Sequence, residues 1–328
     1  MKNITFAEAT LEAMQEEMRR DPRVFLMGED IASQGGIFGQ FKGLSDEFGL
    51  ERVRDTPISE TAIVGAGIGA ALAGTIPIVD IHFADFLGVA MDEVLNQMAK
   101  IRYMSGGQAT TPIVLRAPDG VTRSGAAQHS QSLEAIFMHI PGIKVVVASN
   151  PADAKGLLKS AIRDPNPVIF FEHKDLFRKR GFVPDEEFFT PIGTAKVMQE
   201  GTDLTIISYS RMVNVVLEAC LQMDDEIQKK IEILDLRTIA PMDEAAILKS
   251  VKKTHRVLIV HEAVKYGGVG AEVSALIAEY AIEYLDAPIV RIGAQTYPIP
   301  FSPPLERMIV PQIENISKTI LDLLHSRI

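Results

Sequence analysis

Residues 24–30, Val-Phe-Leu-Met-Gly-Glu-Asp, decide the fold. Four apolar residues predict a buried strand, and Gly28-Glu29-Asp30 follow where that strand ends. A helix over about residues 6–20 precedes the strand, and Thr5 followed by Glu8 is the capping box at its start. A helix, a buried strand and a polar exit in succession are typical of parallel α/β sheets. The stretch therefore predicts an α/β domain whose strands end in polar residues.

The same alternation of strands and helices continues along the chain. In the first half, strands are predicted at about residues 77–82, 112–116, 143–148 and 167–172. In the second half they are predicted at residues 204–208, 231–235, 257–261 and 288–292. Helices between them include one that begins at Asn150-Pro151 and one near residues 243–253. Because the stretch from Gly181 to Pro191 breaks the alternation, we expect two domains, residues 1–185 and 202–328, joined by a linker at 186–201.

Length and composition limit the class of protein. The chain has 328 residues, of which 47% are hydrophobic and 23% charged, which fits about two globular domains and not a disordered chain. The formal net charge of -10 argues against a nucleic-acid groove. The single cysteine, Cys220, excludes a disulfide framework and a cysteine-based metal site. We see no signal or transit pattern near Met1 and expect a cytoplasmic protein.

The uncharged stretch from Thr61 to Val79 is nearly long enough to cross a bilayer. It is rich in glycine and alanine, contains Pro77, and lies between Glu60 and Asp80. We therefore predict a buried helix, a turn and a strand, and no membrane span.

Most general enzyme signatures are absent from the sequence. There is no Gly-x-Ser-x-Gly, His-Glu-x-x-His or Walker motif, and the seven histidines lack the spacing of a local metal site. Residues 65–70, Gly-Ala-Gly-Ile-Gly-Ala, resemble a dinucleotide fingerprint. However, the residues before them are loop-like, so these glycines more simply predict a helix that packs closely on its neighbour.

Four polar or aromatic residues stand where α/β folds place active sites, beyond the carboxyl ends of strands. Glu29 follows the first strand, and Glu60 begins the glycine-rich helix. Phe86 follows the strand that ends near His82, and His129 lies in a loop-like segment. Each residue also has an ordinary structural interpretation, as a cap, a packed ring or a hydrogen-bonded histidine.

The motifs around these residues resemble one family, the β subunit of the thiamin-diphosphate-dependent E1 component of 2-oxo-acid dehydrogenase complexes. The resemblance extends over essentially the whole chain. It is carried by residues 27–30 (MGED), 55–60 (DTPISE), 83–86 (FADF), 102–107 (RYMSGG), 128–131 (QHSQ), 141–145 (PGIKV) and 235–239 (DLRTI). The resemblance implies a transketolase-like pyrimidine-binding domain, a parallel sheet flanked by helices, followed by a transketolase C-terminal-type α/β domain.

The resemblance also implies roles for the four residues. Glu60 matches the glutamate that hydrogen-bonds N1' of the cofactor's aminopyrimidine, and Phe86 matches the aromatic ring beside it. His129 matches an active-site histidine suited to proton transfer or to orienting the lipoyl acceptor. Glu29 matches an acidic position in a polar relay between two active sites.

A structural potassium site is implied in the same way. Its ligands are mainly backbone carbonyls of Ile113, Ala161, Ile162, Asp164 and Asn166. Oxygen ligands suit a hard cation. Without the resemblance, Asp164-Pro-Asn-Pro indicates simply the end of a helix.

The family further implies partners. Related thiamin enzymes hold the diphosphate through Mg²⁺ bound by a Gly-Asp-Gly segment, which this chain lacks. An α subunit is therefore expected to hold the Mg²⁺ in an α2β2 heterotetramer. Asp286 and the carboxylate of Ile328 match positions that meet the subunit-binding domain of the lipoyl-bearing E2 acyltransferase, although a solvated surface explains them too.

The substrate is less sharply indicated. The motifs at residues 102–107, 131–134 and 301–306 look more like those of pyruvate- or acetoin-type β subunits, and branched-chain relatives tend to have Tyr at the position of Phe86. His82 also departs from the glutamine that branched-chain relatives have there, so their substrate contacts do not transfer directly. The alternatives are a branched-chain E1 β subunit, a self-contained transketolase-like enzyme, and a non-catalytic scaffold.

Overall fold

A computed structural model of the chain describes residues 1–325. These residues form two compact units. The first unit comprises Met1–Asp119 and Ile136–Ile192, and the second comprises Gly120–Ala135 and the chain from Gly193 onward. The segment 120–135, which contains His129, thus groups with the second unit, whereas the sequence pattern placed it inside a domain of residues 1–185.

The strands and helices alternate as the sequence predicts. The strands are β1 Lys2–Thr5, β2 Val24–Gly28, β3 Val53–Asp55, β4 Ile76–Asp80, β5 Val114–Asp119, β6 Lys144–Val146, β7 Val168–His173, β8 Arg180–Val183, β9 Lys196–Gln199, β10 Leu204–Ser208, β11 Ile231–Asp235, β12 Thr238–Ala240, β13 Val257–Val264 and β14 Val290–Ala294. The helices are α1 Phe6–Arg20, α2 Leu44–Phe48, α3 Glu60–Leu72, α4 Ile101–Met104, α5 Glu134–Met138, α6 Pro151–Ile162, α7 Arg211–Leu221, α8 Asp225–Gln228, α9 Glu244–Thr254, α10 Val269–Tyr280, α11 Pro303–Ile309 and α12 Ile313–His325. Short 3₁₀ helices occur at Ala84–Gly88, Lys174–Leu176 and Ile282–Tyr284, and a π-helix at Glu93–Met98.

The central sheet of the first unit is parallel. Its strands follow the order β6-β7-β5-β4-β2-β3. Helices α1 and α6 pack together against it, and residues such as Phe6, Met14, Leu157 and Leu158 share one buried apolar cluster with the strands. The sheet therefore places the carboxyl ends of β4, β2 and β3 next to one another.

Local signals set the helix ends as predicted. The Thr5 hydroxyl accepts from the backbone amide of Glu8 at 3.1 Å, and the Glu8 carboxylate accepts from the amide of Thr5 at 2.7 Å, which completes the capping box. Asn150 caps α6 through the amide of Asp153 at 3.0 Å. Both helices are therefore fixed by residues close in sequence.

Part of the stretch from Gly181 to Pro191, which breaks the predicted alternation, forms a strand. Residues Gly181–Val183 belong to β8, which pairs antiparallel with β1 so that Lys2 lies opposite Val183. This pairing joins positions about 180 residues apart in sequence, and short-range patterns do not reveal such a contact.

The second unit has its own sheet in the order β14-β13-β10-β11-β9, in which β9 alone runs antiparallel. A separate apolar cluster supports it, formed by residues such as Ile206, Val216, Ile233 and Ile320. Within residues 1–325, no helix is both long and apolar enough to cross a membrane.

Candidate active site

The strand order brings three of the predicted site residues to one edge of the first unit's sheet. Glu29 directly follows β2, Glu60 is the first residue of α3 after β3, and Phe86 lies in the 3₁₀ helix after β4. The amide of Thr56 donates to the carbonyl of Gly28 at 3.0 Å, which links the loop before Glu60 to the end of β2. The Thr61 hydroxyl donates to the carbonyl of Val89 at 2.9 Å, which links α3 to the segment after Phe86.

Glu29 is the most enclosed of these residues, with 8% of its surface exposed. Its carboxylate Oε2 lies 3.1 Å from His82 Nδ1. Burial raises the pKa of the Glu29 carboxyl, His82 opposes that rise, and the nearby Glu60 and Asp30 carboxylates add to it. Glu29 and Glu60 therefore interact electrostatically at one edge of the sheet.

Aromatic rings line the same edge. Phe86 meets Phe83 edge to face, with ring centroids 6.1 Å apart and an interplanar angle of 89°. Phe83 meets Phe38 in the same manner, at 6.1 Å and 80°. Since Phe86 is only half-buried, it can still offer surface to a flat ring.

A buried group of charges lies below this edge. Asp80 ends β4, opposite Gly28 of β2 and Arg116 of β5. The Arg116 guanidinium donates to both carboxylate oxygens of Glu172, at 2.7 and 2.8 Å, and none of these three residues is more than 1% exposed. Neither Asp80 oxygen has a hydrogen-bond partner among the described residues. Burial is the main cause that raises the pKa of Asp80 to about 7.

Sequence reasoning missed this group, although a signal existed. Asp80, Arg116 and Glu172 each interrupt a run of apolar strand residues. Charged residues at such positions are rarely buried unless they are paired. The missing information was which strands are neighbours.

The second unit contains His129, which is half-buried in the segment Gly120–Ala135. A cavity of about 330 Å³ adjoins this segment and is lined by residues that include Ser130, Leu133, Glu262 and Thr296. At the end of the segment the Tyr209 hydroxyl donates to Glu134 at 2.6 Å. The structure thus brings Glu29, Glu60 and Phe86 together, while His129 belongs to the other unit.

The positions of the predicted potassium site lie within the first unit. The carbonyl of Ile113 accepts from Val168 at 2.9 Å, and the carbonyl of Ala161 accepts from the amide of Asp164 at 3.2 Å. The side chain of Asp164 pairs with Lys144, and that of Asn166 with Arg102. Lys144 and Arg102 therefore already contact one side-chain oxygen of Asp164 and of Asn166 respectively. The potassium site, Ile162 included, stays a prediction.

Other predicted positions have simpler surroundings. Asp286 is exposed, and its Oδ2 lies 3.7 Å from Arg256 Nη1, while Ile328 lies outside the described residues. Within residues 1–325, no group of three or more His, Cys, Asp or Glu side chains is arranged to hold a metal ion.

The glycines at 65–70 lie in α3, and a Cβ on Gly67 would meet Val79 at 2.6 Å, as expected for close helix packing.

Similarity to known proteins identifies the family. The chain is 43% identical over 325 residues to the 2-oxoisovalerate dehydrogenase subunit beta of Bacillus subtilis (strain 168), an alignment that covers 98% of this chain and 99% of that protein. The chain belongs to the family of E1 dehydrogenase β subunits. This confirms the resemblance drawn from the sequence motifs.

Further relatives agree with this membership. The chain is 44% identical over 333 residues to the acetoin:2,6-dichlorophenolindophenol oxidoreductase subunit beta of B. subtilis (98% of this chain, 97% of the other). It is also 44% identical over 327 residues to the pyruvate dehydrogenase E1 component subunit beta of Porphyra purpurea (99% and 98%). These three relatives are named for three different substrates, and this chain is 43%, 44% and 44% identical to them.

The fold prediction is confirmed as well. Residues 2–180 match the family model described as transketolase, pyrimidine binding domain, and residues 193–316 match transketolase, C-terminal domain. A solved structure described as a split gene transketolase, inactive beta4 tetramer, aligns with a TM-score of 0.79 over 99% of each chain at 21% identity. This E1 β-family chain therefore has the transketolase-type α/β fold.

Proposed function

We propose that this chain is the β subunit of a thiamin-diphosphate-dependent E1 component. Together with an α subunit, it would catalyse the oxidative decarboxylation of pyruvate or the cleavage of acetoin, and then the reductive acylation of the lipoyl group of E2. The observation that carries the proposal is the meeting of Glu60, Glu29 and Phe86 at the carboxyl edge of the first unit's sheet.

The side chains at this edge fit the aminopyrimidine of thiamin diphosphate. A half-buried carboxyl group, Glu60, can hydrogen-bond a ring nitrogen, and the half-buried ring of Phe86 offers an apolar surface. The buried Glu29, with its raised pKa, lies close enough to affect the charge of this edge. When bound, thiamin diphosphate supplies the nucleophilic carbon that attacks a 2-oxo group.

The remaining roles fall to this chain's own residues. Glu60 would hold the proton at the pyrimidine nitrogen, and Phe86 would fix the plane of the ring. His129 would move a proton near the reacting substrate or orient the lipoyl acceptor. The cavity of about 330 Å³ beside the His129 segment has the volume of a small-ligand pocket and could receive a short acyl group.

An α subunit is proposed because this chain lacks the segment that would hold the diphosphate part of thiamin diphosphate. The chain contains no Gly-Asp-Gly segment to hold Mg²⁺ and the diphosphate. An α2β2 heterotetramer would supply them. Asp286, exposed and only loosely paired with Arg256, is proposed to meet a basic subunit-binding domain of E2, together with Ile328.

A branched-chain 2-oxo acid is the second candidate substrate. The 2-oxoisovalerate dehydrogenase relative supports it, at 43% identity. Phe86 favours pyruvate or acetoin, since branched-chain relatives tend to have tyrosine at this position.

The test is turnover by the chain co-expressed with the α-type subunit of its own organism. Pyruvate, acetoin and branched-chain 2-oxo acids are assayed with an artificial electron acceptor. Glu60→Gln is expected to lower kcat by about 10²- to 10⁴-fold, the usual contribution of a positioned acid or base. Glu51→Gln, at a carboxylate whose side chain is 96% exposed, is the matched control and should leave kcat unchanged.

Three results would contradict the proposal. Full activity of Glu60→Gln would exclude the assigned role of Glu60. Tight binding of thiamin diphosphate and Mg²⁺ by this chain alone, measured by calorimetry, would favour a self-contained transketolase-like enzyme. Failure to assemble with any α-type subunit would favour a non-catalytic scaffold.

A further inference from the structure

Two buried carboxylates hold the backbone of the segment that carries His129. The amide of Val121 donates to Glu262 Oε1 at 2.6 Å, and the amide of Ser124 donates to Glu306 Oε1 at 2.7 Å. Glu262 and Glu306 are 6% and 5% exposed. They come from β13 and α11, which lie 141 and 182 residues away along the chain from the amides they bind.

These contacts are stronger than ordinary loop hydrogen bonds. A buried carboxylate is costly unless it is hydrogen-bonded or paired. A hydrogen bond from a backbone amide to a carboxylate is charge-assisted and roughly twice as strong as a neutral one. Glu262 also receives Arg211 Nη1 at 3.2 Å, so its position is fixed from two sides.

The segment needs such restraints because its backbone is strained. Ser124 and Ala126 have φ angles of 61° and 57°, in the left-handed region that residues with a Cβ rarely adopt. Conformations of this kind persist only where the surrounding structure enforces them. The amide that Glu306 binds belongs to Ser124, one of these two residues.

The strained part of the segment lies directly against His129. A Cβ placed on Gly125 would come 2.5 Å from Ser130 Oγ and 3.3 Å from the carbonyl of His129. The two limbs of the loop therefore pack without a gap, and the amide of Gly120 donates to the carbonyl of Gln131 at 3.2 Å where they close. A shift at Ser124 would displace the backbone of His129.

We propose that Glu262 and Glu306 are positioning residues that set the place of the His129 imidazole by holding the amides of Val121 and Ser124. This inference rests on the proposed function, because it requires His129 to take part in the reaction. Glu306 does not line the cavity beside the His129 segment, whereas Glu262 does. The effect of Glu306 on turnover therefore passes through the loop, and the test is made on Glu306.

The variants for the test are Glu306→Ala, Glu306→Gln, His129→Ala and the double variant His129→Ala with Glu306→Ala, each assembled with the α subunit. Glu306→Ala should lower kcat by about 10- to 100-fold, as expected for the loss of a hydrogen bond to a charged group. KM should change less than kcat. Glu306→Gln keeps an acceptor oxygen and should stay within about threefold of wild type. Glu314→Gln, at an exposed carboxylate on α12, is the matched control.

The double variant separates positioning from general stabilisation. If Glu306 acts through His129, adding Glu306→Ala to His129→Ala should lower kcat no further. If Glu306→Ala lowers kcat as much in the His129→Ala background as in wild type, the inference is overturned. It is also overturned if Glu306→Ala has wild-type kcat while His129→Ala is slow. Wild-type turnover of His129→Ala would remove the role of His129 itself, and activity of Glu60→Gln would separately contradict the proposed function. If Glu306→Ala does not fold, the same comparison is made with Glu306→Asp, whose shorter side chain withdraws the carboxylate from the amide of Ser124. An effect of that variant independent of His129 would also overturn the inference.

Discussion

Both ring nitrogens of His82 contact Glu29. Nε2 lies 2.8 Å from the backbone carbonyl of Glu29, and Nδ1 lies 3.1 Å from its carboxylate Oε2. Because a carbonyl only accepts, Nε2 carries a hydrogen. The Glu29 carboxylate therefore lies beside the second ring nitrogen of His82, at the sheet edge where Glu60 begins α3.

Removing the His82 ring should make the folded chain more sensitive to alkaline pH. His82 opposes the rise in the pKa of Glu29 that burial causes, so His82→Ala should raise this pKa further. A carboxyl whose pKa is raised by folding contributes stability at low pH, which is lost as the pH rises through the folded pKa. The decrease in thermal stability from about pH 5 to about pH 8 should therefore be larger for His82→Ala than for wild type. Replacing the exposed His139 by alanine is the control, and an equal loss there would refute the explanation.

Asp80 should make the chain less stable as the pH rises from about 4 to about 7. Its pKa is 3.8 in an ordinary environment and about 7 in the folded chain, so the folded state holds a proton that the unfolded state releases within this window. Asp80→Asn carries no charge and should flatten the dependence of the unfolding free energy on pH. Each unit of pKa shift corresponds to about 1.4 kcal/mol. Urea unfolding across this range measures the effect, and parallel curves for the two proteins would contradict it.

The Arg116–Glu172 pair should be more costly to break than to remove. Arg116→Met leaves the fully buried Glu172 carboxylate without its cation and should lower the free energy of unfolding by about 3–5 kcal/mol. The double variant Arg116→Met with Glu172→Leu removes both charges and should lose less. Arg54→Met, which breaks the exposed pair with Glu51, should cost below about 1 kcal/mol. A double variant less stable than Arg116→Met would contradict this prediction.

Two glycines of α3 should respond in opposite directions to alanine. A Cβ on Gly67 would lie 2.6 Å from Val79 and 3.0 Å from Ile113, so Gly67→Ala should destabilise the chain by about 1–3 kcal/mol through overpacking. A Cβ on Gly69 meets nothing within 4 Å, so Gly69→Ala should stabilise the helix by about 0.5–1 kcal/mol. Urea unfolding measures the change in the free energy of unfolding for both variants. Changes of the same sign would contradict the packing of α3 described for these two positions.

The sequence by itself determined the features that depend on near neighbours. The alternation of buried strands and amphipathic helices, the caps at Thr5 and Asn150, and the placing of Glu29, Glu60 and Phe86 after successive strands all follow from residues close together along the chain. Caps and periodicity act over one or two turns, so a short window contains the forces that produce them. The motifs around the same residues also identified the family.

Only the tertiary structure decided the contacts between distant residues. The pairing of β1 with β8, the meeting of His82 with Glu29, and the carboxylates that hold the His129 segment join positions far apart in sequence. The order of strands in a parallel sheet determines which buried charges become neighbours, and no local pattern encodes that order. A buried charge is stable only beside a partner, so the sheet topology selects Arg116 on β5 for Glu172 on the adjacent strand β7. The packing of α11 brings Glu306 to the amide of Ser124.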